Sequence, residues 1–512
     1  MDDRRAVIVG VGEVLGNRDR DPDAAREPLE LILEAVHAAA GDAGGGDALL
    51  RAVGDVSAVR TSSWAYDDAA ALVARSIGAA AQHLEDTTVG GHWPTRLLER
   101  AAARIASGET EVALLVGGEA QASVTALAKA GRDPVAAAGW SAQPGGPPSF
   151  DPSELGTPRM LAGEIVLPAR VYPMFQNALQ ADLGLAPSEG VHRSAALYAR
   201  LTEVAAANPA AWNREVRTPD DIATVAPGNR MVVEPYPLAV NAMPHVDQAA
   251  AVLVTSVTAA RAHGIREDRW VHVWGGAGAT DTADVLERRA FHRSVALELA
   301  LDRAMDRAGL TASDLELVDV YSCFPVVPEL LMRHLGLPDD ATPSATGGHA
   351  AFGGPLSSYS LHAIAATTRR LRHDASVAMV HANGGYLTEQ HVTVLADRAH
   401  PDGYVGDPDP TPVDATDAPP VRDAADLLRQ VDGPIDLRIE TWTVEHGRDG
   451  QPARAYVIGR TSDGTRVAAA TAPGDLAAAA SLSLAALPSG DLTHIGRTVA
   501  LTSLDAGPVI VP

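Results

Sequence analysis

The chain has 512 residues, of which 46% are hydrophobic, and a formal net charge of −24. This length excludes a single small domain and favours roughly two to four domains. The charge argues against a nucleic-acid-binding surface, because phosphate binding needs clustered Lys and Arg and no such run occurs. The one cysteine, Cys323, excludes an internal disulfide and a metal site built from several cysteines. We assign no residue to a metal site.

The N-terminal sequence carries no signal-peptide pattern, because the charged residues 2–5 run directly into a strand-like stretch at 6–10. No apolar run approaches the ~20 residues that a membrane helix needs. We therefore expect a cytoplasmic protein without a membrane span.

The first predicted strand ends in Gly10 and Gly12, and a helix is predicted at 28–40. A dinucleotide-binding fingerprint requires a third glycine at the start of the helix, where Leu15 and Gly16 do not fit. We interpret the two glycines as a strand-to-loop turn and predict no dinucleotide cofactor.

Two successive cycles of strands and helices occupy residues 1–256 and 257–400, which suggests an internal duplication. The first cycle is interrupted at about 124–229 by a long insertion with a Gly/Pro/Ser loop at 144–152. The predicted strands are 55–59, 112–116, 270–274, 315–320 and 376–381, and the predicted helices are 67–77, 169–183, 188–207, 293–308 and 361–371.

The last part of the chain differs in character. Residues 401–420 are rich in Pro and Asp and poor in apolar residues, and we predict a linker without stable structure. Residues 421–512 alternate apolar and polar residues around turn signals such as Asp449-Gly450, which is typical of consecutive β-hairpins. We predict a small all-β, barrel-like domain there.

The candidate site is the stretch 318–360. Cys323 follows a strand-like run and precedes a predicted helix, and a glycine-dense loop comes shortly after. A buried strand that ends in a polar turn and a glycine loop is a common ligand-binding place in α/β proteins.

Motifs in this stretch resemble those of the sterol-carrier-protein-type thiolases. Residues 321–324, Tyr-Ser-Cys-Phe, resemble the family's His-Asp-Cys-Phe segment, and 347–356 resemble its Gly-Gly…Gly-His-Pro-Leu loop. Residues 117–119 and 243–252 resemble two further family stretches. The resemblance implies an α/β protein with a duplicated thiolase fold, in which two βαβαβαββ halves form five α-β-α-β-α layers and the insertion is a lid. Together with the β tail, it identifies the chain as similar to the thiolase-like proteins of type one and to acetyl-CoA acetyltransferases.

The same resemblance implies that the thiolase catalytic groups are missing. The nucleophilic cysteine falls on Gly91, the catalytic histidine on Gly354 and the second cysteine on Ala382. The backbone of Gly91 and Gly384 stands where the family forms an oxyanion hole, and Tyr321 replaces a histidine with another hydrogen-bond donor. We expect Gly91, Tyr321, Gly384 and Gly354 to hold a thioester carbonyl.

Cys323 and three histidines leave a second interpretation open. Cys323 is interpreted first as a small buried apolar residue. His92, His349 and His381 lie in stretches that converge in a thiolase fold and are interpreted first as separate structural histidines. Alternatively they form a new acid/base or metal cluster, with Cys323, His92 and His349 as candidate catalytic residues. Glu119 and Asp247 are expected to cap or pair structurally, and serine hydroxyls are expected to cap a helix that begins at residues 359–360.

Three functions therefore remain. The first is an inactive thiolase-like protein that binds acyl-CoA or a related thioester in lipid or polyketide metabolism, with no other cofactor. The second is an active acyltransferase or thioester hydrolase built on Cys323, His92 and His349. The third is a non-catalytic subunit whose C-terminal β domain docks a partner protein.

Overall fold

The structure is a computed structural model that describes residues 3–142, 145–148, 154, 156–504 and 507–512. Part of the predicted loop 144–152 lies outside the described residues. The first half of the chain begins with the following elements: β1 (Ala6–Leu15), α1 (Pro28–Ala43), α2 (Gly46–Arg51), β2 (Asp55–Ala58), β3 (Ala65–Tyr66), α3 (Ala69–Ser76), β4 (His83–Asp86), α4 (Trp93–Ser107) and β5 (Val112–Ala120).

The insertion lies between β5 and the last strand of the first half, and most of its described regular elements are helices. Its elements are α5 (Gln121–Lys129), α6 (Pro134–Ala138), β6 (Gly145–Gly146), α7 (Pro158–Ala162), α8 (Pro168–Asp182), α9 (Pro187–Ala207), α10 (Pro219–Ala223), β7 (Met231–Val233) and β8 (Tyr236–Pro237). We call residues 121–246 the lid.

The first half closes with β9 (Asp247–Ser256) and α11 (Val257–Ala262). The second half repeats the cycle of strands and helices, as the sequence predicts. Its elements are β10 (Val271–Thr280), α12 (Val295–Ala308), β11 (Leu317–Asp319), α13 (Val326–Leu335), α14 (Tyr359–Leu371), β12 (Val377–Gly384), β13 (Glu389–Ala396) and β14 (Asp407–Pro412).

The duplication is visible in one ten-stranded mixed sheet. The first half has the strand order β4-β2-β5-β9-β1, and the second half continues it in reverse as β10-β13-β12-β11, with β14 beside β10. Parallel and antiparallel neighbours occur in the same sequence in both halves. The halves join where β1 pairs antiparallel with β10, at Val7 with His272 and Ile8 with Val271.

The helices α4 and α14 form the centre of the molecule. They contact each other, and each contacts strands of both halves. The helix α1 packs on the first half and α12 on the second. The result is the predicted alternation of helix and sheet layers, with the N-termini of α4 and α14 brought together in the interior.

Gly10 and Gly12 do not form the predicted strand-to-loop turn, because β1 continues through both. A Cβ added to Gly12 would overlap the carbonyl oxygen of Ala35 and lie 2.6 Å from the amide nitrogen of Ala39 in α1. The glycines thus allow close helix-to-strand packing.

The predicted linker is also ordered in part. Residues 407–412 form β14, an edge strand parallel to β10, and Val405 N–H donates to the Trp274 carbonyl at 2.8 Å. Proline lacks an N–H and is tolerated on edge strands, where half of the backbone groups need no ladder partner. The prediction of an unstructured linker is therefore wrong for this segment.

The C-terminal region is mainly an antiparallel sheet of order β17-β16-β15-β18-β19, which β7 of the lid joins at β15. A bridge between Thr471 and Ile510 brings the ends of the sheet together, in keeping with the barrel-like prediction. The region also contains two short helices, so it is not entirely β. Its elements are α15 (Ala424–Leu428), β15 (Ile435–His446), β16 (Pro452–Arg460), β17 (Arg466–Ala470), α16 (Leu476–Ser481), β18 (Thr498–Leu504) and β19 (Gly507–Val511).

In the part of the chain that the structure describes, no helix combines the length and apolar character needed to span a bilayer.

Candidate functional site

The site is built where Gly91 precedes the buried helix α4. The Ser360 hydroxyl at the start of α14 donates to the Gly91 carbonyl at 3.3 Å, and Gly90 N–H donates to the Ser357 hydroxyl at 3.0 Å. These two bonds connect the segment just before α4 to the start of α14. The expected capping of α14 by serine side chains is not observed, since Ser358 makes no side-chain cap bond and Ser360 bonds across to Gly91.

Tyr321 fills the space beside Gly91. A Cβ added to Gly91 would lie 2.5 Å from Cε2 and Cζ of Tyr321 and would also overlap its hydroxyl oxygen. Carbon atoms in contact normally stay 3.5–4.0 Å apart, so this space is occupied. The Tyr321 hydroxyl donates to the Leu356 carbonyl at 3.4 Å, and burial raises the pKa of the phenol.

His349 packs against the Tyr321 ring. The two ring centroids are 4.3 Å apart, and the imidazole stacks on Tyr359 at 3.5 Å. Its Nδ1 is 3.4 Å from the Ser322 hydroxyl, whereas its buried Nε2 has no hydrogen-bond partner among the described residues. Burial lowers the pKa of His349 well below its usual value, so the ring is neutral at physiological pH.

Gly354 is next to this histidine. Its N–H donates to the Met243 carbonyl at 2.9 Å. An added Cβ would lie 3.5 Å from Cδ2 of His349 and 3.5 Å from Cβ of Ala242, which is ordinary van der Waals contact. The resemblance to thiolases places the family's catalytic histidine at position 354, where this chain has glycine. The imidazole of His349, five residues earlier in the chain, lies beside that position.

His92 packs against Gly384. A Cβ added to Gly384 would overlap His92 Nδ1, an atom with no hydrogen-bond partner among the described residues. Burial first, and then the nearby charges of Arg96 and Arg100, lower the pKa of His92 to about 3. Burial lowers the pKa of the nearby His391 well below its usual value, and the proximity of His92 lowers the pKa of His391 further. The structure thus places neutral histidines at this end of β12.

Cys323 lies in a different hydrogen-bond environment. Asn383 Nδ2 is 3.9 Å from its Sγ and donates to the Tyr172 hydroxyl at 2.8 Å. Burial raises the pKa of the thiol to about 12. In the described part of the chain, no hydrogen bond joins Cys323 to His92 or His349, so the three candidate catalytic residues do not form a hydrogen-bonded pair or triad.

His381 is connected to Asn383 through Gln390. His381 Nε2 is 2.8 Å from Gln390 Oε1, and Gln390 Nε2 donates to Asn383 Oδ1 at 2.6 Å. Burial lowers the pKa of His381 to about 4. The described residues hold no group of three His, Cys, Asp or Glu side chains that could hold a metal ion.

Glu119 and Asp247 have structural partners, as the sequence predicts. Glu119 accepts the N–H groups of Ser62 and Ser63, both at 2.8 Å. Asp247 accepts the N–H groups of Ala122 and Ser123, at 2.9 and 3.0 Å, and so holds the start of α5.

A pocket of about 300 Å³ opens beside the site. Gly347, Ala350 and Ala351 line it from the loop that carries His349, and Ala242 and Met243 line it from the neighbourhood of Gly354. Helix α9 supplies a further wall through Tyr198, whose hydroxyl donates to the Ser322 carbonyl at 2.9 Å. The pocket therefore lies between the lid and the loop that carries His349.

Three tyrosines of the site were not identified from the sequence: Tyr172 and Tyr198 of the lid and Tyr359 of α14. Their helices were predicted, but the faces that meet the site depend on how the lid folds over the core. For Tyr172 and Tyr198 the only signal was the placement of aromatic residues in helices of an insertion, which does not specify a partner. Tyr359 lies inside the candidate stretch 318–360 but was interpreted only as the start of a helix.

Comparison with known proteins gives a family match for the end of the chain. Residues 412–501 match the model described as the thiolase-like protein type 1 additional C-terminal domain. No curated protein matches the sequence significantly.

Solved structures extend the match to the whole chain. A monomeric SCP2-thiolase-like protein type 1 from Mycobacterium smegmatis has 28% sequence identity and a TM-score of 0.78, with 100% of this chain and 99% of that chain covered. Human mitochondrial 3-ketoacyl-CoA thiolase in complex with CoA has 15% identity and a TM-score of 0.54, covering 78% of this chain and 100% of that chain. The Ltp2–ChsH2(DUF35) aldolase has 20% identity and a TM-score of 0.54, covering 78% and 99%. The likeness to the human thiolase and to the aldolase shows the fold alone. The predicted thiolase fold is confirmed.

Proposed function

We propose that this chain, a thiolase-like protein of type one with the additional C-terminal domain, binds a CoA thioester and does not carry out thiolase condensation or thiolysis. The observation that carries the proposal is the Tyr321 ring, which fills the space beside Gly91 where a nucleophilic side chain would stand. Gly354 and Ala382 stand at the other two positions, which the family uses for proton transfer. The residues at these three positions carry no side-chain group that could accept an acyl chain or move a proton.

The pocket beside Gly354 supports thioester binding. Its volume of about 300 Å³ is at the lower end of ligand-sized pockets, enough for the arm of a CoA thioester rather than the whole molecule. Ala242, which lines the pocket, lies 3.5 Å from a Cβ added to Gly354, one of the residues that we propose to hold the thioester carbonyl. The human thiolase with the same fold was solved in complex with CoA, which makes an acyl-CoA of lipid or polyketide metabolism the ligand class that we propose.

The alternative of an active site built on Cys323, His92 and His349 has less support. A thiol with a pKa of about 12 is almost entirely protonated at neutral pH, and the thiolate is the nucleophile. A base close to the thiol could activate it, but no hydrogen bond from either imidazole reaches Sγ in the described residues.

The pocket can be blocked at its exposed edge. Gly228 lines it, is exposed and has no atom within 4 Å of an added Cβ, so Gly228→Phe is expected to fold normally. We expect calorimetric titration with acetyl-CoA to show saturable binding to the wild type and at least tenfold weaker binding to this variant. Gly41→Phe, at an exposed and equally open position of α1, is the matched control. Equal affinity in Gly228→Phe would place the ligand elsewhere, and absence of binding to the wild type would refute the proposal.

A further inference from the structure

A second cavity lies at the junction of the lid, the second half and the C-terminal domain. Its volume is about 650 Å³, larger than the pocket beside Gly354 and within the range of small-molecule sites. Helix α8, the segment 289–292, strand β15 and the loop 493–496 form its walls. Since β15 and this loop belong to the additional domain, the cavity exists only because that domain packs on the rest of the chain.

Three arginines line the cavity: Arg289, Arg438 and Arg460. Arg438 is exposed and makes no side-chain hydrogen bond or ion pair in the part of the chain that the structure describes. The carboxylates nearest to the Arg289 guanidinium belong to Asp414 and Asp417, at 3.8 and 3.6 Å, and both side chains are about three-quarters exposed. Surface ion pairs of this kind contribute little. Arg289 Nη2 also donates to the Asp414 carbonyl at 2.8 Å, whereas no hydrogen bond from its Nε or Nη1 occurs among the described residues, so those two groups can donate to a ligand.

The two acidic residues of the cavity are already paired. Glu440 accepts from Arg460 Nε on Oε1 at 2.6 Å, and from Arg466 on both carboxylate oxygens, at 2.5 Å on Oε2 and 3.3 Å on Oε1. Asp182 is held by Arg333 at 2.8 Å, with His292 at 3.9 Å. The lining therefore presents net positive charge, in a chain whose formal net charge is −24.

The remaining walls are apolar. Phe291, Ile439 and Ile495 line the cavity, and Phe291 is fixed by an edge-to-face contact with Phe175 of α8, with ring centroids 5.5 Å apart. A guanidinium group matches the geometry of both carboxylate and phosphate, and the apolar wall favours a ligand with a hydrophobic body. We propose that this cavity binds a small organic anion, a carboxylate or phosphate carried on an apolar group, at a site separate from the CoA thioester pocket.

The test uses the full chain and three probes of similar size: phenyl phosphate, benzoate and neutral phenol. Calorimetric titration is expected to show saturable binding of at least one anion, and that anion should raise the thermal unfolding midpoint because its site connects the lid to the C-terminal domain. Comparing the two anions distinguishes phosphate from carboxylate recognition. Failure of both anions to bind, or equal binding of phenol, would overturn the proposal.

Variants of exposed arginines locate the site without disturbing the core. Arg438→Gln should weaken anion binding at least tenfold. Arg448→Gln changes an exposed arginine of the same domain outside the cavity and should leave the affinity unchanged. An Arg438→Gln protein that binds as tightly as the wild type would refute the assignment. Gly228→Phe should bind the anion normally, and no CoA compound is used, so a failure here is distinguishable from a failure of thioester binding.

Discussion

Tyr321 is the residue that most clearly separates this site from that of a condensing thiolase. Restoring a cysteine by Gly91→Cys places a Cβ inside the Tyr321 ring volume, and overpacking of this kind typically costs about 1–3 kcal/mol. In a Tyr321→Ala background the ring is absent, and we expect Gly91→Cys to be nearly neutral. Urea unfolding of the two single variants and the double variant measures this coupling. Additive effects would mean that the ring does not occupy the position.

His92 gives a prediction for pH dependence. Its pKa in the folded protein, about 3, is below the usual value of 6.5, so the fold favours the neutral ring. This contribution to stability is complete above pH 6.5 and is lost progressively as the pH falls towards 3. Between pH 7 and pH 5, the difference in unfolding free energy between the wild type and His92→Gln should therefore decrease by about 2 kcal/mol. Denaturant unfolding at both pH values measures it, and a difference independent of pH would contradict the burial of a neutral imidazole.

At the scale of residues, the sequence predicted which stretches meet but not the contacts between them. The sequence motifs mark where strands and loops end. The fold brings these ends together, and the motif residues therefore lie close to one another: Gly91, Tyr321, Gly354 and Gly384. The stacking of His349 on Tyr359 and the bond from Asn383 to Tyr172 depend on side-chain directions that follow only from tertiary packing.

At the scale of elements, β1 and α1 show that one glycine pattern is compatible with two different structures, a turn and a close contact between a helix and a strand. Glycines near the end of an apolar run indicate a turn, yet here they allow a helix to approach a strand. The sequence does not distinguish the two, because the atoms that exclude a side chain at Gly12 belong to Ala35 and Ala39, more than twenty residues away.

Gly12→Ala is expected to destabilise the protein by at least about 2 kcal/mol, because the overlapping atoms are backbone and cannot move aside. Gly41→Ala, at an exposed position of α1 with no neighbour within 4 Å of the added Cβ, is the control. It should stabilise the protein by about 0.5–1 kcal/mol through helix propensity. Thermal or denaturant unfolding of the two variants measures the change in stability and separates the effect of packing from that of helix propensity. A Gly12→Ala protein as stable as the wild type would contradict the close approach of α1 to β1.

At the scale of the whole molecule, the C-terminal domain packs on its own chain. Arg466 is buried and donates to the carbonyls of Leu286 and Arg288, at 2.6 and 2.5 Å. Asn177 Nδ2 of the lid donates to the Trp442 carbonyl at 2.8 Å. Tyr456 and further apolar residues of the domain belong to the same hydrophobic cluster as the lid helices. The sequence indicated a separate β region, but its packing partners lie far away in the chain: Asn177 and Trp442, for example, are 265 residues apart.

This packing predicts one cooperative unfolding transition for the full chain. Removing the C-terminal domain would expose the apolar surface that it shares with the lid, so the two parts should lose structure together. Differential scanning calorimetry should give a single transition. Two well-separated transitions, or a stable monomeric fragment after truncation near residue 412, would show that the rest of the chain folds without this packing and would contradict the prediction.

The central claim is that this thiolase fold holds a CoA thioester and leaves it unchanged. The most direct measurement is calorimetric titration of the purified protein with acetyl-CoA, a long-chain acyl-CoA and free CoA, followed by mass spectrometry of the same samples. We predict saturable binding of at least one thioester, recovery of intact ligand and an unmodified protein mass. Turnover of the thioester, or an acyl adduct on Cys323, would instead demonstrate a rebuilt catalytic centre and contradict this account.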